Sequence, residues 1–281
     1  MSYRTIAVHV NQATSAEQRI RLAAAIALAH NAHLVGAAAT AVPIELYLPG
    51  ALGESDGALS VYIEFLRENA RAALKRFAEI ARNAGIASVE ERIVEDEPGA
   101  AMSLQARYSD LTVIGQTNPD ESPSDPRIDF PEYVVMNSGR PVMIVPYAGS
   151  FDRVGQRVLV AWDASVEATR AIAGAMPILE RAELVQVIVF NPKTGFAGHG
   201  EQSGADIALF LARHGVKVEV SQQQAGSDLS IGNALLSHAA DFGADLLVMG
   251  GYGHSRIREV ILGGVTHTIL ASMTVPVLMS H

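Results

Sequence analysis

Short, almost wholly apolar runs such as "TIAVHV" (Thr5 to Val10) and "DLLVMG" (Asp245 to Gly250) alternate along this chain with longer stretches whose apolar residues recur at helical spacing. The alternation predicts strands and helices in turn. "TSAEQRIRLAAAIALAHNA" reads as a helix that opens on a capping box, Thr14 to Glu17. "VYIEFLRENARAALKRFAEIARNAG" sets Ile63, Leu66, Ala70, Leu74 and Phe77 on one helical stripe. Strands that lack polar alternation are buried on both faces, which calls for a parallel sheet covered by helices on each side and joined by right-handed crossovers. Ligands of such sheets bind beyond the carboxyl ends of the strands, where the strand order reverses. The loops after the first and fourth strands are therefore the places to look for chemistry.

The pattern occurs twice. "SDLTVIG" (Ser109 to Gly115) superposes on "ADLLVMG" (Ala244 to Gly250), and with the same shift "RPVMIVP" falls on "VPVLMSH", so that Pro141 lands on Pro276. "TIAVHVN" matches "RVLVAWD" (Arg157 to Asp163), and "NAHLV" matches "RAELV". "ARNAGI" and "LARHGV" each end a helix on a glycine before a strand, the left-handed cap. Each copy reads as strand, helix, strand, loop, helix, strand, helix, strand, loop, helix, strand. The expected organisation is two tandem α/β domains, residues 1–149 and 155–281, each a five-stranded parallel sheet with helices on both faces. The apolar final strands would be exposed edges if left alone, so they are expected to pair with each other within the chain.

Composition narrows the function. The chain has 281 residues, enough for two cores, and 49% of them are apolar, which excludes disorder. A formal charge of −9 argues against nucleic acid as a partner. Cysteine is absent, which removes disulfides, thiolate metal sites and thiol nucleophiles. With no leader-like start and no run of about 18 apolar residues, a cytoplasmic protein with no membrane contact is expected. The histidines at 30, 33, 199, 214, 238, 254, 267 and 281 are scattered, and no metal site is predicted. Walker-type and nucleophile-elbow motifs are absent as well, so no catalytic residues are assigned.

One stretch stands out: "MGGYGHSRIREVILGG", Met249 to Gly264, follows the fourth strand of the second copy and leads into the helix "GVTHTILASM". Glycines let main-chain N–H groups converge on an anion, and a helix N-terminus adds unpaired donors with a favourable dipole. His254, Arg256 and Arg258 bring positive charge, partly offset by Glu259. The first copy lacks the feature. The shift that superposes the strands puts Asn118 for Gly253, Ile128 for Gly263 and Asp129 for Gly264, within a loop, "NPDESPSDPRID", of three prolines and four carboxylates.

The spacing G-x-x-G, nine residues, G resembles the nucleotide-binding signature of the universal stress protein (UspA-like) family, and "VLVAWDAS", "LVQVIVFNP" and "VPVL" resemble its first, second and last strands. The resemblance implies a tandem member of flavodoxin-like, adenine-nucleotide α-hydrolase-like fold. Carried over, Asp163, followed by Ala164, faces an adenine; the main chain at Val189 meets the base edge; Met249 and Gly250 lie beside the ribose. Gly253, His254, Gly263, Gly264 and Val265 hold phosphates. The family's ATP binders carry serine or threonine where this chain has Gly264, and Thr266 or Ser255 would have to supply that hydroxyl. Asp163 reads equally as a helix cap.

The implied ligand is ATP or another adenine nucleotide, with or without magnesium, bound only by the second copy. The expected role is a stress-response binding protein with at most weak ATPase activity, acting through an unidentified protein partner. The implied assembly is an intramolecular pseudo-dimer of the two domains that forms homodimers. A slow ATP hydrolase using His254 or His267, and a nucleotide-free scaffold, are the alternatives. "IELYLPGALGESDG" and "NPKTGFAGHGEQSG" read as surface loops or lids, and Trp162 as core.

Overall fold

A computed structural model of the chain describes residues 2–41, 57–121, 130–192, 204–225, 228–252 and 264–281. The chain divides into two compact units between Arg140 and Pro141. Among the described residues no helix is long and apolar enough to cross a membrane.

The first unit runs β1 (Thr5–His9), α1 (Ala16–His30), β2 (His33–Ala39), α2 (Gly57–Asn83), β3 (Val89–Val94), α3 (Pro98–Ala106), β4 (Leu111–Gly115) and α4 (Phe130–Ser138). Its strands are parallel in the order β3, β2, β1, β4, with Ile6 opposite Leu34 on one side and Leu111 on the other. All three of these side chains are fully buried, as the unbroken apolar runs require. On α2, Ile63, Ala70, Leu74 and Phe77 are buried and Leu66 is half-buried, so the predicted stripe is the packed face.

The second unit holds β5 (Val142–Val145), β6 (Arg157–Ala161), α5 (Val166–Leu179), β7 (Leu184–Phe190), α6 (Ala205–Arg213), β8 (Val218–Gln223), α7 (Asp228–Phe242), β9 (Leu246–Gly250), α8 (Val265–Ser272) and β10 (Val277–Ser280). Five strands are parallel in the order β8, β7, β6, β9, β10. The sixth, β5, adds antiparallel to β10, with Val142 opposite Met279. The two apolar runs that each sequence copy ends on thus hydrogen-bond to one another, and all eight residues of β5 and β10 are buried. Pro141 packs on α5 at Gly174, where a Cβ would come within 2.7 Å of the proline ring.

The order of strands and helices is the one the apolar pattern predicts for each copy. It places the reversal of strand order between β1 and β4 in one unit and between β6 and β9 in the other. Both glycine caps form: Gly85 (φ 81°) and Gly215 (φ 80°) are left-handed, and the next residue's N–H reaches back to Ala81 or Leu211. The capping box does not form. Ser15 is the N-cap of α1 without a side-chain bond, because the Thr14 hydroxyl donates to the Glu121 carboxylate at 2.7 Å. Trp162 is half-buried, and its N–H donates to the Ile188 carbonyl at 3.0 Å.

A second equivalence links the copies. The Asp110 carboxylate accepts the Arg4 and Thr5 amides at 2.7 and 3.0 Å, and Asp245, its counterpart in the repeat, accepts Gly155, Gln156 and Arg157 at 2.9, 2.9 and 3.2 Å. Each aspartate ties the start of the central strand to the start of its neighbour. Truncation leaves those amides without their acceptor, so Asp245→Ala is expected to cost about 1–3 kcal/mol in urea unfolding and Asp110→Ala no more than that. Unchanged midpoints in both variants would remove these ties as a source of stability.

Candidate functional site

The carboxyl ends of the second unit's strands carry unusual backbone. Non-glycine residues with left-handed φ are Ala164 (62°) after β6, Asn191 (48°) after β7 and Tyr252 (59°) after β9. Such conformations cost on the order of 1 kcal/mol each and persist only where surrounding contacts fix them. Those contacts are present. Asp163 Oδ1 accepts the Ser165 N–H at 3.0 Å and its hydroxyl at 2.6 Å, which fixes the turn containing Ala164. The Asn191 side chain accepts the Ala225 N–H at 2.7 Å, its own N–H donates to Gln223, and the Tyr252 N–H donates to Thr266 Oγ1 at 3.3 Å.

The pieces converge. Ser165, and not Asp163, is the N-cap of α5, its hydroxyl accepting the Ala168 N–H at 3.1 Å. Asp163 supports that cap from two residues further out. The first turn of α5 lies against the end of β9 so closely that a Cβ on Gly250 would stand 2.6 Å from the Ala168 nitrogen. Only glycine fits there. Beyond it, the Gly251 N–H donates to Ser280 at 2.9 Å, and the His281 ring contacts the Gly251 carbonyl at 3.0 Å. The chain leaving β9 is therefore held from the β6 side, from the β10 side and from α8.

The first turn of α8 completes the arrangement. Gly264 is its N-cap and supplies no side-chain acceptor, so the opening turn at Val265, Thr266 and His267 carries the partial positive charge of a helix N-terminus. Thr266 is 3% exposed and ties this turn to Tyr252. Its oxygen already accepts one amide, which limits the compensation expected of it for the hydroxyl missing at Gly264. Val189 and Met249 are buried near the ends of β7 and β9. The Val189 side chain packs against Gly204 before α6, and Val189 stands opposite Gln222 in the pairing of β7 with β8.

Of the candidates, Asp163, Ala164, Val189, Met249, Gly250, Gly264, Val265 and Thr266 all lie at this edge. Gly253, His254 and Gly263, with Ser255, Arg256 and Arg258, lie outside the described residues, as do the loops at 42–56 and 193–203. Ser165, Tyr252, Ser280 and His281 were not singled out from sequence. Ser165 had a signal, a serine two residues after an aspartate at a helix start. The left-handed turn at Tyr252 had none, since tyrosine disfavours that region. Among the described residues no group of three or more histidine, aspartate or glutamate side chains is placed to hold a metal ion.

The first unit has the same corner with different contents. Asn11, the counterpart of Asp163, accepts the Ala13 N–H at 3.3 Å, the same two-residue turn, and also Arg19 Nη2 at 2.9 Å. Gly115, the counterpart of Gly250, is covered by Arg19, whose Nη1 would stand 2.3 Å from an added Cβ. Arg19 is 2% exposed and donates through Nε to the His9 carbonyl at 2.9 Å. His9 is buried with its ring 4.8 Å from that of Phe130, and burial, reinforced by the Arg19 charge, holds its pKa well below the usual imidazole value. A cation fills this corner, where the second unit presents main chain.

Part of the chain is similar to universal stress proteins in sequence, and nearly the whole of it is similar to one in fold. The sequence profile described as the universal stress protein family matches residues 155–281. Universal stress protein Slr1230 of Synechocystis sp. is 27% identical over 150 residues, 52% of this chain and 49% of that protein, so the match spans about half the length of the relative. In fold, a universal stress protein from Archaeoglobus fulgidus DSM 4304 superposes with a TM-score of 0.74 at 18% identity, covering 98% of this chain and 94% of the other. A universal stress protein solved in complex with cAMP is 26% identical over 53% of this chain and all (100%) of its own, with a TM-score of 0.39.

The buried His9 makes stability depend on pH with a definite sign. Its folded pKa lies below the unfolded value of about 6.5, so below that pH the unfolded chain takes up a proton that the folded chain refuses. The contribution is present above about pH 6.5 and is lost as pH falls, by at most about 1.4 kcal/mol per pH unit. Urea unfolding at pH 7 and pH 5 should show His9→Gln losing less stability than the parent over this interval. Equal losses would mean that His9 takes up its proton without penalty.

Proposed function

The segment 155–281 belongs to the universal stress protein family, and from that premise we propose that this C-terminal domain binds one adenine nucleotide at the carboxyl ends of β6, β7 and β9. The observation that carries the reading is the bond from Tyr252 to Thr266, which docks the first turn of α8 against the end of β9. Phosphates are bound by the main-chain donors of that turn and by the glycines of the motif, Gly253, Gly263 and Gly264. The base lies between Asp163 and the main chain at Val189, with the ribose beside Met249 and Gly250. In this assignment Asp163 Oδ1 keeps its bonds to Ser165 while the carboxylate also meets the base.

Gly264 in place of a hydroxyl residue bears on which nucleotide is held. A main-chain donor remains there, but the side-chain bond to a terminal phosphate is lost. We therefore take ATP, ADP and AMP together as the ligand class, with magnesium accompanying the longer ones. Binding without rapid turnover suits a sensor that reports its nucleotide to a protein partner in the cytoplasm during stress. The pairing of β5 with β10 supports reading the two copies as a pseudo-dimer within one chain, which then forms homodimers.

Calorimetric titration with AMP, ADP and ATP, with and without magnesium, is expected to give one site per chain. Replacing Gly253 or Gly263 by a bulky residue should weaken binding by about tenfold or more, a loss of ~1.4 kcal/mol at the least. Substitution at Asn118 should leave it unchanged. Two sites per chain, or equal losses from both kinds of variant, would overturn the assignment to the C-terminal domain. Mass spectrometry of protein denatured directly after purification separates a nucleotide carrier from a nucleotide-free scaffold.

A further inference from the structure

At the amino end of the first unit's sheet, side chains of β2 and of the segment entering β3 form one hydrogen-bonded row. Ser88 Oγ lies 2.8 Å from His33 Nδ1, and His33 Nε2 lies 3.3 Å from Glu90 Oε2. Glu90 is fixed in turn by Arg92, whose Nε and Nη2 donate to its two oxygens at 2.5 and 2.9 Å while Nη1 donates to Gln105 Oε1 at 2.7 Å. The register explains the row. With Leu34 opposite Val89, His33 stands beside Ser88, and Ser88, Glu90 and Arg92 follow one another along one face of the edge strand.

The partners fix the direction of each bond. Glu90, hydrogen-bonded first by Arg92 and then by His33, has its carboxyl pKa held down to about 2, so it is a carboxylate and only accepts. In the neutral imidazole Nε2 therefore carries the proton, Nδ1 is the acceptor, and the Ser88 hydroxyl donates to it. Hydroxyl, base and orienting carboxylate stand in the order that activates a serine. The two ring nitrogens exchange the roles they have in serine proteases, which leaves the proton path intact. The row is not core packing, since Ser88 is exposed and His33 and Glu90 are half-buried. It borders a cavity of about 340 Å³ whose lining includes Ser88, His33, Arg4, Asn31, Leu28 and Ile86. Leu28 and Ile86 offer an apolar wall, and Arg4 brings the positive charge that a developing oxyanion requires.

We propose that this row and its cavity form an esterase site in the N-terminal domain for small carboxylic esters with short acyl chains, with Ser88 as nucleophile, His33 as general base and Glu90 positioning the ring. In acylation the Ser88 hydroxyl gives its proton to His33 Nδ1 as Oγ bonds to the ester carbonyl carbon. The bond from that carbon to the alkoxy oxygen then breaks, and the oxygen leaves as the alcohol with the proton from His33. In deacylation water gives a proton to His33 as its oxygen bonds to the acyl carbon. The bond to Ser88 Oγ breaks, Oγ recovers that proton, and the carboxylic acid departs. The cavity lies at the small end of ligand sites, which sets the size of the substrate. Turnover is slow, because water around an exposed serine weakens the charges on which the step relies.

The test uses the full chain and no nucleotide, so its outcome is independent of what the C-terminal domain binds. Release of 4-nitrophenol from 4-nitrophenyl acetate and butyrate is followed at pH 7 beside an equal concentration of free imidazole. The chain should exceed imidazole by about a hundredfold or more, the contribution of a positioned base. Ser88→Ala and His33→Gln should each fall by about tenfold at the least, and Glu90→Gln should lower kcat with KM kept, because the carboxylate orients the ring and does not hold the ester. Diisopropyl fluorophosphate should phosphorylate Ser88, located by peptide mass spectrometry, and should leave His33→Gln unlabelled. Thermal unfolding checks that each variant is folded; should His33→Gln fail to fold, Ser88→Ala, which removes one exposed hydroxyl, and the position of the label decide. Hydrolysis no faster than imidazole, a label on another residue, parental activity in Ser88→Ala, or a parental kcat in Glu90→Gln would each overturn the proposal.

Discussion

The placement of α8 against the end of β9 is the constraint on which the rest of the C-terminal edge depends. A helix contributes unpaired donors to a site only if its first turn is fixed relative to the strands that shape the remainder, and here Thr266 ties it through the Tyr252 amide while Thr268 packs on Gly232 of α7. That amide is positioned because Tyr252 adopts a left-handed conformation, and it can do so because Gly251 is pinned by Ser280 and His281. The last strand thus does more than extend the sheet. By pairing with β9 through Gly250 it brings the chain terminus to the point where the motif loop departs.

Seen from β6, the same edge is stiffened by a different route. Asp163 and Ser165 make a turn that caps α5, and α5 sits close enough to β9 to require glycine at position 250. These contacts fix several backbone groups that local propensity would leave elsewhere, at an expense of a few kcal/mol borne by the fully buried strands behind them. A sheet buried on both faces can hold a strained rim because its register is set deep in the core, by residues such as Leu159, Val160 and Val248.

Much of this frame was legible in the sequence, because apolar runs and helical stripes state burial directly and repeated segments state equivalence. The order of elements, the glycine caps at Gly85 and Gly215 and the partnership of the two final strands follow from those signals. The start of α1 did not, since Thr14 and Glu17 satisfy the local rule for a capping box while a carboxylate more than a hundred positions away competes for the hydroxyl. Arg19 was invisible for a related reason. An arginine in the polar first turn of a helix reads as solvated, and nothing local reveals that Gly115 leaves a cleft for its guanidinium. Likewise Tyr252 carries a conformation that its residue type disfavours, imposed by partners from distant parts of the unit.

The two copies show one frame carrying different groups at the same corner. Both keep the aspartate that ties the central strands, both keep the two-residue turn after the first strand, and both keep glycine at the end of the fourth. What differs is the group lying over that glycine. Main chain lies over Gly250, with no cation there among the described residues, and the nearby helix N-terminus adds a partial positive charge. A guanidinium over Gly115 supplies a full charge in a low-dielectric site, and such a charge cannot stand alone. Its hydrogen bonds go to neutral oxygens, the His9 carbonyl and the Asn11 side chain, so the first unit's corner is filled by a cation that the second unit, among the described residues, does not place there.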